Sequence, residues 1–180
     1  MRPDGPQRII AEGRFLRLIE QGGWEFVQRR NASGVVIVMA LTADKEVIFV
    51  EQVRPPVGCR VIEFPAGLSG DLPHAKDEPL QFAALRELIE ETGYEAASAK
   101  CVFTGPSSAG LTDEMASFYV TDAVVRTGEG GGVGNEKIKV HAIPLDEVED
   151  WLDARQQDGC LVGARVFTGL YWLRRATQDV

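Results

Sequence analysis

Short apolar runs recur along the chain, and their spacing predicts a sheet. Residues 15–19 and 24–29 flank Glu20-Gln21-Gly22-Gly23, which predicts a β-hairpin with glycines in its turn. Residues 35–41 and 47–53 form the longest apolar runs and are rich in β-branched side chains, which favours two central strands. Further runs predict strands at residues 60–64, 100–104, 117–125 and 137–143.

Three other segments carry apolar residues at helical spacing. The first includes residues 84–94, and the other two close the chain at about residues 145–154 and 162–176. The last has Val162, Val166, Phe167, Leu170 and Leu173 in register, which is typical of core packing rather than of a cofactor site. This order of elements predicts an α/β fold with a mixed sheet between helices.

The helix that includes residues 84–94, ALRELIEETGY, combines an acidic face with an apolar one. At about 100° per residue, Glu87, Glu90 and Glu91 cluster within roughly a third of its circumference. We expect the opposite, buried side to hold Phe82, Leu85, Leu88 and Ile89. Adjacent like charges are unfavourable, and Mg²⁺ and Mn²⁺ prefer carboxylate oxygens. The acidic face is therefore a candidate metal site, or alternatively a solvated surface with one ordinary ion pair from Arg86 to Glu90.

The flanks of this helix resemble the box of the Nudix hydrolases. That box runs glycine, five residues, glutamate, seven residues, then Arg-Glu-aliphatic-x-Glu-Glu-x-Gly and an aliphatic or aromatic residue. The matching residues are Glu78, Arg86, Glu87, Leu88, Glu90, Glu91, Gly93 and Tyr94. Gly67 precedes Glu78 by ten residues instead of five, so SGDLPHAKD looks like a loop with a five-residue insertion. Residues 63–67 are interpreted as a strand end that turns into this loop.

Segments outside the box are similar to the ADP-ribose and ADP-sugar pyrophosphatase branch of that family. They are residues 24–29, Val53-Arg54-Pro55-Pro56, residues 63–67, residues 134–144 and Ala164-Arg165-Val166. Ser108-Ala109-Gly110 stands where the branch often has Ser-Pro-Gly. The resemblance implies an α/β/α sandwich domain over residues 33–180. It also implies an N-terminal hairpin segment, residues 1–32, that two subunits of a homodimer exchange.

The resemblance further implies metal-dependent hydrolysis of the pyrophosphate bond of ADP-ribose or a related nucleoside diphosphate sugar. Mg²⁺, or Mn²⁺, is the implied cofactor. Glu87 and Glu91 would be direct ligands, Glu90 a further or water-mediated one, and the backbone carbonyl of Ala66 would complete the site. The general base is expected to be Glu136, because GNEKIKVHAIP aligns with the segment that carries the family's catalytic glutamate. Glu114 is the second candidate, and an ordinary solvated loop carboxylate is the alternative for both.

Side-chain types indicate how a nucleotide sugar would be recognised. Trp24 and Phe15 offer aromatic faces for a base, Glu25 an acceptor for an exocyclic amine, and Arg29 a cation for phosphate. Stacking of adenine on Trp24 and on Phe15 is implied by the resemblance, whereas packing of both aromatics onto the core is the alternative. Beside the metal loop, Arg54 and Glu63 complete the candidate substrate-binding set, and Arg86 and Glu90 the catalytic one.

Composition narrows the class of protein. The chain has 180 residues, 44% of them hydrophobic, and a net charge of −8, which argues against a nucleic-acid-binding groove. Three widely spaced cysteines without a CxxC pair indicate neither a disulfide framework nor a zinc site. The longest apolar run, residues 35–41, is too short to cross a bilayer, and residues 1–10 lack a signal-peptide pattern. We expect a soluble cytoplasmic protein with a small anionic substrate.

Some interpretations remain open at the level of the sequence. The glycine-rich segment GEGGGVG, residues 128–134, is either a mobile surface loop or an active-site lid. It contains no GxGxxG leading into a helix and no GK[ST], which disfavours a dinucleotide fold or a P-loop. Alternative substrates are GDP-mannose, a dinucleoside polyphosphate or a damaged nucleotide. A module of this fold that binds a nucleotide sugar without cleaving it is the alternative from a different class.

Overall fold

A small antiparallel sheet occupies the N-terminal part of the chain in the computed structural model, which describes residues 5–70, 78–134 and 136–178. Its strands are β1 Arg8–Glu12, β2 Leu16–Gln21 and β3 Trp24–Arg29, in that order across the sheet. The predicted hairpin is confirmed as β2 and β3, with Gly22 and Gly23 at positive φ in its turn. Strand β1 was not predicted from the sequence.

A nine-stranded mixed sheet forms the centre of the molecule. Its strands are β4 Gly34–Thr42, β5 Glu46–Arg54, β6 Cys59–Glu63, β7 Ala66–Ser69, β8 Tyr94–Glu95, β9 Lys100–Pro106, β10 Met115–Arg126, β11 Lys139–Pro144 and β12 Leu161–Val162. The main path runs β12-β6-β5-β4-β10-β8, while β11 pairs with β5, β7 with β4 and β9 with β10. The β4–β10 and β6–β12 pairs are parallel and the remaining pairs are antiparallel.

Helices cover both faces of this sheet. They are α1 Leu80–Thr92, α2 Val148–Gln157 and α3 Ala164–Gln178. Successive side chains of a strand point to opposite faces, so β4 divides its side chains between two cores. Val36, Val38 and Ala40 pack with Ala84 and Leu88 of α1. The alternate positions of β4, from Val35 to Leu41, pack with Val148, Leu152, Val166, Leu170 and Leu173 of α2 and α3. The predicted α/β architecture with a mixed sheet between helices is confirmed.

Residues 63–67 begin with the predicted strand end, at Glu63 of β6, but from Ala66 they continue into strand β7 instead of into the predicted loop. Ala66 pairs with Ile37 of β4, and Ser69 with Gly34. Strand β5 pairs with β4 only at Leu41, so the first half of β4 needs another backbone partner on that side. Strand β7 supplies this partner and lies directly under α1.

The buried face of α1 also differs from the expectation. Phe82 and Ile89 are 59% and 42% exposed, so their assignment to the buried side is wrong. Leu88 is buried as expected, and the rest of the buried set is Ala83, Ala84, Glu91 and Thr92. Small alanines allow α1 to lie close to the sheet, and this contact turns Glu91 inward. The helix ends, as predicted, at Gly93 in the left-handed conformation with φ of 71°.

Contacts with the connection between β9 and β10 attach the N-terminal sheet to the rest of the chain. The N–H of Val27 donates to the carbonyl of Leu111 at 2.8 Å, and the amide of Gln28 donates to Asp113 at 2.5 Å. In the described ranges, no helix combines the length and apolar character needed to cross a membrane. Most of the predicted five-residue insertion falls at residues 71–77, outside the described residues.

Candidate functional site

A cavity of about 350 Å³ lies where α1, β7 and the start of α3 meet. Four carboxylate residues line it, three from α1 and one from the segment after the glycine-rich loop: Glu87, Glu90, Glu91 and Glu136. Four arginines from four different elements line it as well: Arg29, Arg54, Arg86 and Arg165. A cavity with both kinds of charge can hold a cation and an anion at the same time.

Glu91 is the most deeply buried of these carboxylates, with 5% of its surface exposed. Its Oε2 accepts a hydrogen bond from the backbone N–H of Ala66 at 2.9 Å. The pKa of Glu91 is raised to about 8, mainly by burial and further by repulsion from Glu87 and Glu136, while the Ala66 hydrogen bond and the charge of Arg54 oppose the rise. In the protein alone, Glu91 is thus largely protonated at neutral pH, and a bound cation would favour its charged form.

Glu87 lies directly against the backbone of Gly67 on β7. A Cβ atom added to Gly67 would overlap the carboxylate carbon and both oxygens of Glu87. Any side chain at position 67 would therefore displace Glu87 or separate β7 from α1. This close approach explains why a glycine stands at the beginning of the family's box in this chain.

Arg86 joins the acidic face to its surroundings. Its Nη1 donates to Glu87 at 2.8 Å and to Glu90 at 3.2 Å, so the expected ion pair four residues along the helix is present. Its Nη2 donates to the carbonyl of Leu68 at 3.1 Å and to Glu78 at 3.3 Å. Burial lowers the pKa of Arg86, but the hydrogen bonds and charges of Glu78 and Glu87 raise it more. Arg86 therefore stays charged and orients two of the three helix carboxylates.

The glycine-rich loop is docked on the C-terminal end of α1. Gly131 and Gly132 donate their N–H groups to the carbonyls of Glu91 and Glu90 at 2.9 and 3.0 Å. These bonds satisfy carbonyls that have no partner within the helix. The loop thereby brings Glu136 to the cavity, where its Oε2 accepts the N–H of Val133 at 2.9 Å. These contacts place the glycine-rich loop at the site.

Glu114 has a different environment from Glu136. It accepts hydrogen bonds from Arg29, from Ser107 at 2.7 Å and from Arg165 at 3.0 Å. Burial raises the pKa of Glu114, but the hydrogen bonds of Arg29 and Ser107 and the charges of the two arginines lower it more. Glu114 does not line the 350 Å³ cavity, whereas Arg29 and Arg165 do. Of the two loop carboxylates that the sequence nominated, only Glu136 thus lines this cavity.

Arg165 is a site residue that sequence reasoning missed. In the sequence it was only part of a segment similar to the pyrophosphatase branch. Its position depends on the approach of α3 to the β9–β10 connection, and no local pattern indicates that approach. Arg54 was predicted, and it lines the cavity with its Nε donating to Glu63 at 2.6 Å.

The predicted base-binding residues are not at the cavity in the single chain. Phe15 is 65% and Trp24 61% exposed, so the alternative that both pack the hairpin onto the core is wrong. Neither aromatic lines the cavity, and Glu25 does not line it either. The register of β2 and β3 places Phe15 and Trp24 at opposite ends of the hairpin, and each is an exposed aromatic side chain on which a ligand or another chain can pack.

The donor chemistry of the cavity fits a hard divalent cation. Within the described part of the chain, no three acidic, histidine or cysteine side chains form a ready-made metal cluster. Mg²⁺ usually needs only one or two carboxylates and completes its shell with waters and substrate phosphates. Glu91 and Glu87 provide such carboxylates, and a cation would favour the charged form of Glu91, whose pKa is raised mainly by burial and further by repulsion from Glu87 and Glu136.

Together, the sandwich of helices around a mixed sheet and the acidic helix packed on β7 form the kind of site that can hold a cation next to a phosphorylated small molecule. The chain belongs to the Nudix hydrolases: the model of the NUDIX domain matches residues 30–161. This match includes α1, β7, Glu114 and Glu136.

Sequence comparison finds relatives that are similar to this chain over most of its length. The ADP-sugar pyrophosphatase of Mus musculus is 32% identical, and the match covers 82% of this chain and 76% of that protein. The methanol dehydrogenase activator of Bacillus methanolicus is 30% identical, and the ADP-ribose pyrophosphatase of Bacillus subtilis (strain 168) is 28% identical. In each of these two cases the match covers 68% of this chain and 64% of the relative.

A solved structure shares the fold. The crystal structure of an ADP compounds hydrolase superimposes with a TM-score of 0.74 at 18% identity, and the match covers 97% of this chain and 92% of that one. At this identity the likeness shows the fold alone.

Proposed function

We propose that this protein is a metal-dependent pyrophosphatase that hydrolyses ADP-ribose or a related nucleoside diphosphate sugar. Water would add across one P–O bond of the diphosphate bridge, giving a nucleoside monophosphate and a sugar phosphate. The observation that carries the proposal is a cavity that Glu87, Glu90, Glu91 and Glu136 line together with Arg29, Arg54 and Arg165. A diphosphate with a bound cation matches this distribution of charge.

The acidic residues of α1 are the proposed metal site. We assign Glu87 and Glu91 as direct ligands of Mg²⁺ or Mn²⁺, Glu90 as a further ligand, and the carbonyl of Ala66 as a backbone ligand. When bound, the ion neutralises charge on the phosphate oxygens and polarises the bond that breaks. Arg86 keeps Glu87 and Glu90 oriented towards the cavity through its hydrogen bonds. Relatives in this family generally depend on a divalent metal, which supports the assignment.

Glu136 is the proposed general base. Its carboxylate lines the cavity, so it can reach a water molecule beside the diphosphate directly or through one bridge. Glu114 is less suited, because its two oxygens already accept three hydrogen bonds and it lies outside the cavity. A carboxylate whose pKa is lowered is also a weaker base.

Base recognition is proposed to need a second subunit. Phe15, Trp24 and Glu25 are candidate contacts for adenine, yet none of them lines the cavity of their own chain. A homodimer that brings the N-terminal sheet of one subunit to the cavity of the other would unite them with Arg54 and the carboxylates. We therefore propose residues 1–32 as a dimerisation and substrate segment of the Nudix domain at residues 33–180.

We also propose that the protein works in the cytoplasm without nucleic-acid or membrane partners. Three free cysteines, Cys59, Cys101 and Cys160, are compatible with a reducing compartment. The net charge of −8 disfavours attraction to polyanions.

The test of this proposal is a panel of nucleoside diphosphate derivatives assayed with Mg²⁺ and with Mn²⁺, with the products identified by mass. We expect ADP-ribose to yield AMP and ribose 5-phosphate only when a divalent metal is present. Absence of turnover on every member of the panel, with ADP-ribose nevertheless bound, would favour the non-catalytic module instead.

GDP-mannose is the second candidate substrate. The GDP-mannose pyrophosphatase of Cronobacter sakazakii (strain ATCC BAA-894) is 33% identical over 126 residues, covering 65% of this chain and 62% of that protein. Comparison of kcat/KM for ADP-ribose and GDP-mannose in the same panel separates the two candidates.

A further inference from the structure

Glu114 ties together two arginines that come from separate parts of the fold. Arg29 ends strand β3 of the N-terminal sheet, whereas Arg165 lies in the first turn of α3. Arg29 donates through Nε to one oxygen of Glu114, and Arg165 donates through Nη2 to the other at 3.0 Å. The side chain of Glu114 is only 11% exposed, which makes this the buried centre of the arrangement.

Ser107 lies at the other end of the β9–β10 connection from Glu114 and holds the Glu114 side chain in place. Its hydroxyl donates to Glu114 Oε1 at 2.7 Å and accepts a hydrogen bond from Arg165 at 2.9 Å. Its backbone N–H also bonds the carbonyl of Glu114 at 2.9 Å, which closes the β9–β10 connection. These two bonds from Ser107 hold Glu114 in place without a contribution from either arginine.

Both arginines keep hydrogen-bonding capacity towards the cavity. A guanidinium has five N–H groups in a rigid fork, and Arg29 uses only its Nε on Glu114. Among the described residues, none accepts a hydrogen bond from the terminal nitrogens of Arg29. Arg165 likewise engages Glu114 and Ser107 through one terminal nitrogen, and 41% of its side chain is exposed.

We propose that Glu114 is a positioning residue that holds Arg29 and Arg165 at the cavity, where Arg165 in particular binds the diphosphate of the substrate. Two oriented guanidinium forks match the geometry of phosphate oxygens, and the preorganisation removes part of the entropic cost of holding long side chains still. The assignment rests on the proposed function for the identity of the substrate, but the diphosphate subsite can be tested without turnover.

The test measures binding of inorganic pyrophosphate in the presence of Mg²⁺ by calorimetry. We expect Arg165→Met and Glu114→Gln each to raise the Kd by about tenfold or more, as loss of a charge-assisted contact or of its orientation does. The double variant is expected to lose much less than the product of the two single effects, because Glu114 acts through Arg165.

Arg174→Met is the matched control. Arg174 lies on the same helix with the same side-chain exposure of 41%, and it pairs with Glu149 at 2.5 Å instead of with residues of the cavity. It should bind pyrophosphate as the wild type does. Thermal unfolding of every variant accompanies the binding data. If Glu114→Gln fails to fold, the comparison of Arg165→Met with Arg174→Met decides the role of Arg165, and Ser107→Ala, which removes the hydroxyl bonded to Glu114 and Arg165, tests the positioning role: an unchanged Kd there overturns it.

Several outcomes overturn the inference: a wild-type protein that does not bind pyrophosphate, an unchanged Kd in Arg165→Met, equal losses in Arg165→Met and Arg174→Met, or fully multiplicative losses in the double variant. The fate of the proposed function is separate. If the wild type hydrolyses ADP-ribose and Arg165→Met has the same KM, the diphosphate subsite is wrong and the proposed function stands. If the variants bind pyrophosphate more weakly than the wild type but the wild type cleaves no nucleoside diphosphate derivative, the proposed function is wrong and the subsite stands.

Discussion

The carboxylate of Glu91 and the backbone N–H of Ala66 are joined by a 2.9 Å hydrogen bond, which connects α1 to β7 inside the cavity. One oxygen of Glu91 is thereby oriented by the sheet, while burial and the neighbouring carboxylates disfavour its charge. Such a group is costly to ionise in the protein alone and is ready to be stabilised by a cation.

The stability of the metal-free protein should therefore contain a pH-dependent contribution from Glu91. Its pKa is about 8 in the folded state against 4.5 for the unperturbed group, so between these values the folded state holds a proton that the unfolded state has lost. This contribution is fully present below pH 4.5 and is lost as the pH rises through about 8. The free energy of unfolding can be measured with urea in the presence of EDTA. Relative to the wild type, that of Glu91→Gln should increase by up to about 1.4 kcal/mol per pH unit as the pH rises through this window.

Added Mg²⁺ provides the check on that prediction. It should restore wild-type stability above pH 8 and have a smaller effect on Glu91→Gln, because the ion replaces the proton on the carboxylate. A difference between the two proteins that is independent of pH would contradict the assigned protonation.

Turnover should collapse in Glu91→Gln while the fold is retained. Removal of a direct metal ligand is expected to lower kcat for ADP-ribose by about 100-fold or more. Asp153→Asn, an exposed substitution on α2, is the control, and circular dichroism reports the fold. Near wild-type turnover would sink the metal assignment.

Glu136→Gln should lower kcat by about 100- to 10,000-fold with little change in KM, as expected for loss of a general base. Glu129→Gln in the glycine-rich loop changes the same functional group at an exposed position and should behave as the wild type. Steady-state kinetics over a range of pH measure both variants. If Glu114→Gln lost far more kcat than Glu136→Gln, the two roles would have to be exchanged.

Gly67→Ala should weaken metal binding, because the new Cβ overlaps the carboxylate of Glu87. Titration with Mn²⁺ is expected to show an affinity lower by about tenfold or more. Gly110→Ala is the control, since beyond its two chain neighbours no described residue has an atom within 4 Å of the position that its Cβ would take. Unchanged Mn²⁺ affinity in Gly67→Ala would show that Glu87 does not hold the ion.

Arg86→Lys tests the orientation of the acidic face. An ammonium cannot reproduce the fork that reaches Glu78, Glu87, Glu90 and the carbonyl of Leu68 together. We expect a loss of about 1–2 kcal/mol in the free energy of unfolding together with a lower kcat. Arg174→Lys, at a surface ion pair, should change neither quantity.

Local patterns predicted much of the fold. The runs that became β4 and β5 are dominated by β-branched residues, and the helix carrying Glu87, Glu90 and Glu91 ends at the expected glycine. The prediction failed where a partner in space decides the conformation. Residues 66–69 form a strand because β4 lacks another partner there, and Phe82 and Ile89 are exposed because Ala83 and Ala84 face the sheet instead.

For the candidate site, too, some features were predicted from the sequence and others depend on tertiary contacts. The family, the acidic helix and the nomination of Glu136 came from the sequence, because ligands on one helix have fixed spacing and a loop motif can be aligned. Only the tertiary structure decided that Glu91 is buried against Ala66, that Glu136 reaches the cavity through a loop docked on α1, and that Glu114 pairs with Arg29 and Arg165 instead. Helical periodicity is a property of neighbouring residues, whereas burial, pKa and ion pairing depend on groups that folding brings together from distant positions.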